Sequence, residues 1–171
     1  MRYILIMLLV SIVAVLGCTP AANPADDADS KAPEDSELMA TDAAKYEVGA
    51  WTENWDLALS AAKELKRPVL VNFTGSDWCS WCIKLMNEVF SKDEFHEYAK
   101  DNLILLKLDF PRAIAQTEAL KTQNNALQKQ FGIQGFPTIL LMDSDGKEIN
   151  RTGYQQGGAA AYVKHLQSLL K

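Results

Sequence analysis

Two cysteines three positions apart, in the run Trp78-Cys79-Ser80-Trp81-Cys82, are the residues of this chain best suited to do chemistry. Sulfurs so spaced can close a small disulfide ring and open it again. A free thiol ionises near about pH 8.5, and that value drops to between about 3.5 and 7.5 at a helix N-terminus, where unpaired N–H groups and the macrodipole favour a thiolate. Just upstream, Pro68 opens Val69-Leu70-Val71-Asn72-Phe73, a short apolar strand, and residues 79 to 90 read as a helix. The pair is therefore expected at the mouth of a helix that follows a strand, the setting reversible thiol chemistry requires. Cys79, nearer the helix start and more exposed, is the expected nucleophile. Cys82, tucked into the helix, is expected to resolve the mixed disulfide.

Other readings of the pair stay open on these residues alone. It could be half of a zinc site, for which the chain offers only Cys18, His96 and His165 beside carboxylates. His96 and His165 have no ligand-spaced partner and read as solvated surface. It could instead be a structural staple in a non-enzymatic binding module, or two inert buried thiols. The exchange reading needs no cofactor and no metal.

The elements that must position the pair are legible as periodicities. Trp51, Trp55, Leu59, Ala62 and Leu65 recur at helical spacing and predict a helix over 53–66. Ser91-Lys92-Asp93-Glu94 reads as a capping box starting a helix through about Lys100. Leu103 to Leu108 is apolar enough for a buried strand, and Thr117 to Phe131 is a more polar helix. Pro137 to Met142 is a strand, Asp143-Ser144-Asp145-Gly146 a turn, and Lys147 to Gly153 the returning strand. Gly157 and Gly158 precede a last helix bearing Tyr162, Val163, Leu166, Leu169 and Leu170. Strands alternating with helices predict an α/β fold with helices on both faces and an antiparallel edge from the final hairpin.

Composition narrows the classes further. The 171 residues are 48% hydrophobic and 23% charged, which excludes a wholly disordered chain, and three Cys are too few for a disulfide-dense mini-protein. Seven acids and two bases lie between Thr19 and Lys45. Residues 46 to 171 carry 15 acids and 14 bases, so the overall charge of −5 belongs to the segment before the domain. Nothing in that balance offers a footprint for nucleic acid.

Residues 46 to 171 resemble a thioredoxin-fold domain, with a central mixed sheet flanked by helices and a C-terminal β-hairpin and helix. Trp78-Cys79-Ser80-Trp81-Cys82 is similar to the family's WCxxC active site, and Gly135-Phe136-Pro137-Thr138 to the loop holding its cis-proline, a role open to Pro137 because cis bonds are essentially confined to X-Pro. The resemblance implies that Pro137 packs against the dithiol and that the backbone of Phe136 pairs with a substrate chain. Trp78, Trp81 and Phe136 would then form an apolar collar for a protein substrate. Phe73-Thr74-Gly75-Ser76-Asp77-Trp78-Cys79 and Glu88-Val89-Phe90-Ser91 resemble exported bacterial relatives, including the C-terminal periplasmic domain of DsbD, and imply reduction of disulfides in client proteins at the expense of a dithiol donor. The chain departs from the family pattern at Asn72, where thioredoxin has a buried Asp. Trp81 stands where a Pro is common, and Lys107 where thioredoxin has a partner for that Asp.

The N-terminus adds an address. Arg2 and the apolar run Ile4 to Leu16, thirteen residues long, are too short for a membrane span of about 20 and predict a secretory signal peptide over 1–17. Val15-Leu16-Gly17-Cys18 resembles the lipobox of bacterial lipoproteins, which implies a lipid on Cys18 and a membrane anchor facing the periplasm or cell exterior. Residues 18 to 45, rich in Ala, Asp and Pro, read as a flexible acidic tether.

Overall fold

The computed structural model describes residues 45–171. The expected signal peptide, Cys18 and all but the last residue of the tether lie outside the described residues. Five strands and five α-helices follow in the order β1 (Trp51–Thr52), α1 (Trp55–Leu65), β2 (Val69–Thr74), α2 (Ser80–Leu85), α3 (Asp93–Asn102), β3 (Ile104–Asp109), α4 (Glu118–Gln130), β4 (Thr138–Met142), β5 (Glu148–Thr152) and α5 (Gly158–Leu169). A π-helical turn, Met86–Phe90, continues α2. The sheet order is β1-β3-β2-β4-β5. β1 and β2 run parallel to β3, β4 runs antiparallel to β2, and β5 antiparallel to β4.

β2 is buried along its whole length because both of its faces are covered. Val69, Val71 and Phe73 point to one side, under Ala58, Ala61 and Ala62 of α1 and Leu127 of α4. Leu70 points to the other, where Leu105, Ile139 and Leu141 meet Leu85, Val89, Phe90, Phe95, Tyr162 and Leu166 from α2, the π turn, α3 and α5. Strand period two thus divides the sheet into two cores, and it puts Asn72 on the same face as the helix that carries the cysteines.

Three local expectations are corrected. Trp51 belongs to β1, not to a helical stripe. A two-residue strand has no periodicity of its own, and Trp51 is held there by pairing with Leu105 and by its rings against Phe90 and Phe95. The helix over 79–90 is α only to Leu85 and then widens, with the Ser91 N–H donating to the Met86 carbonyl at 2.9 Å. Finally, Ser91 does not cap α3. Its hydroxyl donates back to the Asn87 carbonyl at 3.3 Å, and Lys92 takes the cap position with no side-chain bond.

Candidate active site

Cys79 occupies the N-cap position of α2, with extended backbone angles. At α1 and α4 the same position is filled by Asn54 and Thr117, whose side-chain oxygens accept the N–H of Leu57 and Leu120. At α2 a sulfur does this work: the Cys82 N–H donates to Cys79 Sγ at 3.2 Å. An N–H aimed at that sulfur, together with the dipole of the helix behind it, stabilises negative charge there. The two sulfurs are bonded to each other, with Cα atoms 5.2 Å apart. In this oxidised state Cys79 is 7% exposed and Cys82 4%, so the expected difference in exposure is small.

The loop that delivers Cys79 is fastened by two carboxylates. Asp109, at the end of β3, accepts the Ser76 N–H at 2.9 Å and the Ser76 hydroxyl at 2.6 Å. Asp77 accepts the N–H groups of Arg112, Ala113 and Ile114, the shortest at 2.6 Å. The Arg112 and Ala113 bonds hold its carboxyl below the ordinary Asp range. Trp78 seals the join. Its indole N–H donates to the Phe110 carbonyl at 2.8 Å, the Arg112 guanidinium lies 3.9 Å over its ring, and Phe136 meets it edge-on at 5.9 Å. Gly75 makes room for it, since a Cβ there would come within 2.5 Å of the indole.

The Phe136–Pro137 peptide is cis. Thr138 pairs with Phe73, so Pro137 stands level with the end of β2, where the cysteine loop begins. The expected collar of Trp78, Trp81 and Phe136 is in fact two patches. Trp78 and Phe136 touch, and Phe110 joins them at 5.1 Å from Phe136. Trp81, 52% exposed, takes its ring contact with Tyr154 instead, at 5.2 Å. Tyr154 donates to Glu88 at 2.6 Å, a bond that holds its phenol above its ordinary pKa.

Asn72 is buried, and its Oδ1 has no hydrogen-bond partner. Its neighbour in register on β3 is Lys107, which lies mid-strand and pairs with Glu53 at 3.0 Å. Lys107 also lines a pocket of about 230 Å³ that borders Cys82, Thr74 and Met86. His96 is exposed, whereas His165 is half-buried and bonded to Thr152 Oγ1 at 2.8 Å, which corrects the expectation of solvated surface. Among the described residues no group of three His, Cys, Asp or Glu side chains is arranged to hold a metal. Sequence reasoning gave no role to Asp77, Asp109, Arg112 and Tyr154, because their side chains act on residues 33 or more positions away in the chain.

A family model for a thioredoxin-like domain matches residues 55–168. The chain belongs to the thioredoxin-like family. It is a thiol-disulfide oxidoreductase of that family, and the mixed five-stranded sheet is the family's fold. It is 38% identical over 119 residues to a protein of Chlamydia pneumoniae named disulfide bond reductase DsbH, which covers 70% of this chain and 72% of that one. A solved structure named DsbH oxidoreductase superposes with a TM-score of 0.68 at 34% identity, over 78% of this chain and 92% of that chain. The thiol:disulfide interchange protein DsbD of Pseudoalteromonas atlantica is 30% identical over 129 residues, which are 74% of this chain but 20% of that protein.

Proposed function

We propose that this oxidoreductase reduces disulfides of client proteins in the bacterial cell envelope, held to a membrane by a lipid on Cys18. The Cys79 thiolate attacks a client disulfide. A sulfur–sulfur bond forms between Cys79 and one client sulfur, and the other client sulfur leaves as a thiolate that takes up a proton. Cys82 then loses its proton and attacks Cys79. The mixed disulfide breaks, the second client sulfur leaves, and the Cys79–Cys82 bond is formed. A dithiol donor restores the pair by the same two exchanges. The observation that carries these roles is the Cys82 N–H donated to Cys79 Sγ at the start of α2, which favours charge on the first sulfur. The reductive direction is supported by the relative named disulfide bond reductase. Trp78, Trp81, Phe136 and Pro137 are the residues assigned to client contact.

The test is insulin reduction with a dithiol donor. Cys79→Ser is expected to lose turnover by orders of magnitude, and Cys82→Ser to accumulate mixed disulfides with clients. Full activity in Cys79→Ser, or no trapped client in Cys82→Ser, would remove these roles. The anchor has its own test: labelled fatty acid should enter the wild-type chain in a bacterial host and be absent from Cys18→Ser.

A further inference from the structure

Trp81 lies between the two cysteines in sequence and is half exposed, so burial alone does not fix its indole. Four contacts do. Its ring meets that of Tyr154 at 5.2 Å with the planes tilted by 45°. The Lys84 ammonium lies 5.2 Å from the Trp81 ring and 5.1 Å from the Tyr154 ring, serving both. Lys84 in turn stands 3.9 Å from Glu88. The circuit closes where the Tyr154 hydroxyl donates to the Glu88 carboxylate at 2.6 Å, a short, charge-assisted bond between residues 66 positions apart. Trp81, Lys84 and Glu88 follow one another on α2 and its π turn, so they move with the cysteines. Tyr154 comes from the exit of β5 and is the only member outside that helix. Beside it, Gly153 lies so close to the Pro137 carbonyl that a Cβ would approach the oxygen to 3.2 Å. Tyr154 is thus bonded to the cysteine helix and follows a strand whose Thr152 pairs with Ile139 of the cis-proline strand.

We propose that Tyr154, anchored by Glu88, is a positioning residue that holds the Trp81 indole as a contact surface for clients and so governs recognition of protein disulfides. The other patch is Trp78 with Phe136 and Arg112. This inference rests on the reading that clients are proteins. A small disulfide needs only the sulfurs, whereas a polypeptide also meets the aromatic surface beside them. Tyr154 is required through Trp81 and not through the exchange itself.

The experiment compares insulin with bis(2-hydroxyethyl) disulfide as substrates for the wild-type domain and for Tyr154→Ala, Trp81→Ala and the double variant. Loss of the aromatic pair is expected to raise KM for insulin roughly three- to tenfold in Tyr154→Ala, and to lower the ratio of insulin to small-disulfide turnover by as much. In the Trp81→Ala background, Tyr154→Ala should add nothing further. Tyr154→Phe keeps the ring and loses the bond to Glu88. It should shift insulin KM by less and alter Trp fluorescence, and it carries the test if the alanine variant does not fold. An unchanged ratio, equal losses on both substrates, or full additivity with Trp81→Ala would overturn the inference while leaving the oxidoreductase reading intact. A wild-type domain that exchanges with neither substrate would instead overturn that reading.

Discussion

The two aromatic patches beside the cysteines are held by different forces. Around Trp78 the fastening is polar and reaches the backbone: Asp77 and Asp109 gather N–H groups from two loops, and the indole N–H is bound to a carbonyl. Around Trp81 it is side chain on side chain, at an exposed surface, through Tyr154, Lys84 and Glu88. The first patch can be displaced only by breaking hydrogen bonds that shape the loop delivering Cys79. The second is held by side chains alone, so removing it costs the fold little. Stability and the seating of Cys79 therefore rest on the first patch more than on the second.

The sharpest way to break that contrast is at Gly75. A Cβ there would come within 2.5 Å of the Trp78 indole, whose N–H is bound to the Phe110 carbonyl, so Gly75→Ala should destabilise the domain by about 2–3 kcal/mol in chemical denaturation. Little change would mean that Trp78 is no more firmly built into the fold than Trp81. Asp109→Ala removes the acceptor of two Ser76 bonds and should cost about 1–2 kcal/mol, with slower insulin reduction from a loosened loop.

Asp77 gives the contrast a pH dependence. Its folded-state pKa is depressed by the N–H groups of Arg112 and Ala113. Its contribution is therefore fully present above the unfolded value of about 3.9 and is lost as pH falls through the lower folded value. Trp fluorescence in a Trp81→Phe background should report this loosening below about pH 4. Asp77→Asn should abolish it. An acid transition unchanged by that substitution would assign the effect elsewhere.

The smallest effect is expected at the second patch. Trp81→Ala removes an exposed side chain and should change stability by less than about 0.5 kcal/mol while still lowering turnover of protein substrates. A large loss of stability would erase the distinction between the patches.

What was legible in the sequence was what neighbours decide. Strand β2, the cysteine-bearing helix, the hairpin turn at Asp143 and the amphipathic faces of α1 and α5 all declare themselves within a dozen residues. What was hidden depends on partners brought from elsewhere. Trp51 sits four residues before Trp55 and so mimics a helical stripe, but its place is fixed by β3. Ser91 has the spacing of a capping box, but the widened turn before it offers the Asn87 carbonyl to its hydroxyl first. Asp77, Asp109 and Tyr154 look like ordinary surface polar residues until the loops they join are brought side by side. The collar of three aromatics became two patches for the same reason: Tyr154, not Phe136, reaches Trp81. Asn72 stands apart. Its departure from thioredoxin was readable, and its cost is an oxygen buried without a partner.

Equilibrium titration of the Cys79–Cys82 pair against glutathione or dithiothreitol tests the exchange chemistry most directly. A pair poised by the Cys82 N–H for turnover should titrate between about −270 and −120 mV. A potential below about −300 mV would mark an inert staple and contradict the assignment of these two sulfurs as the working dithiol.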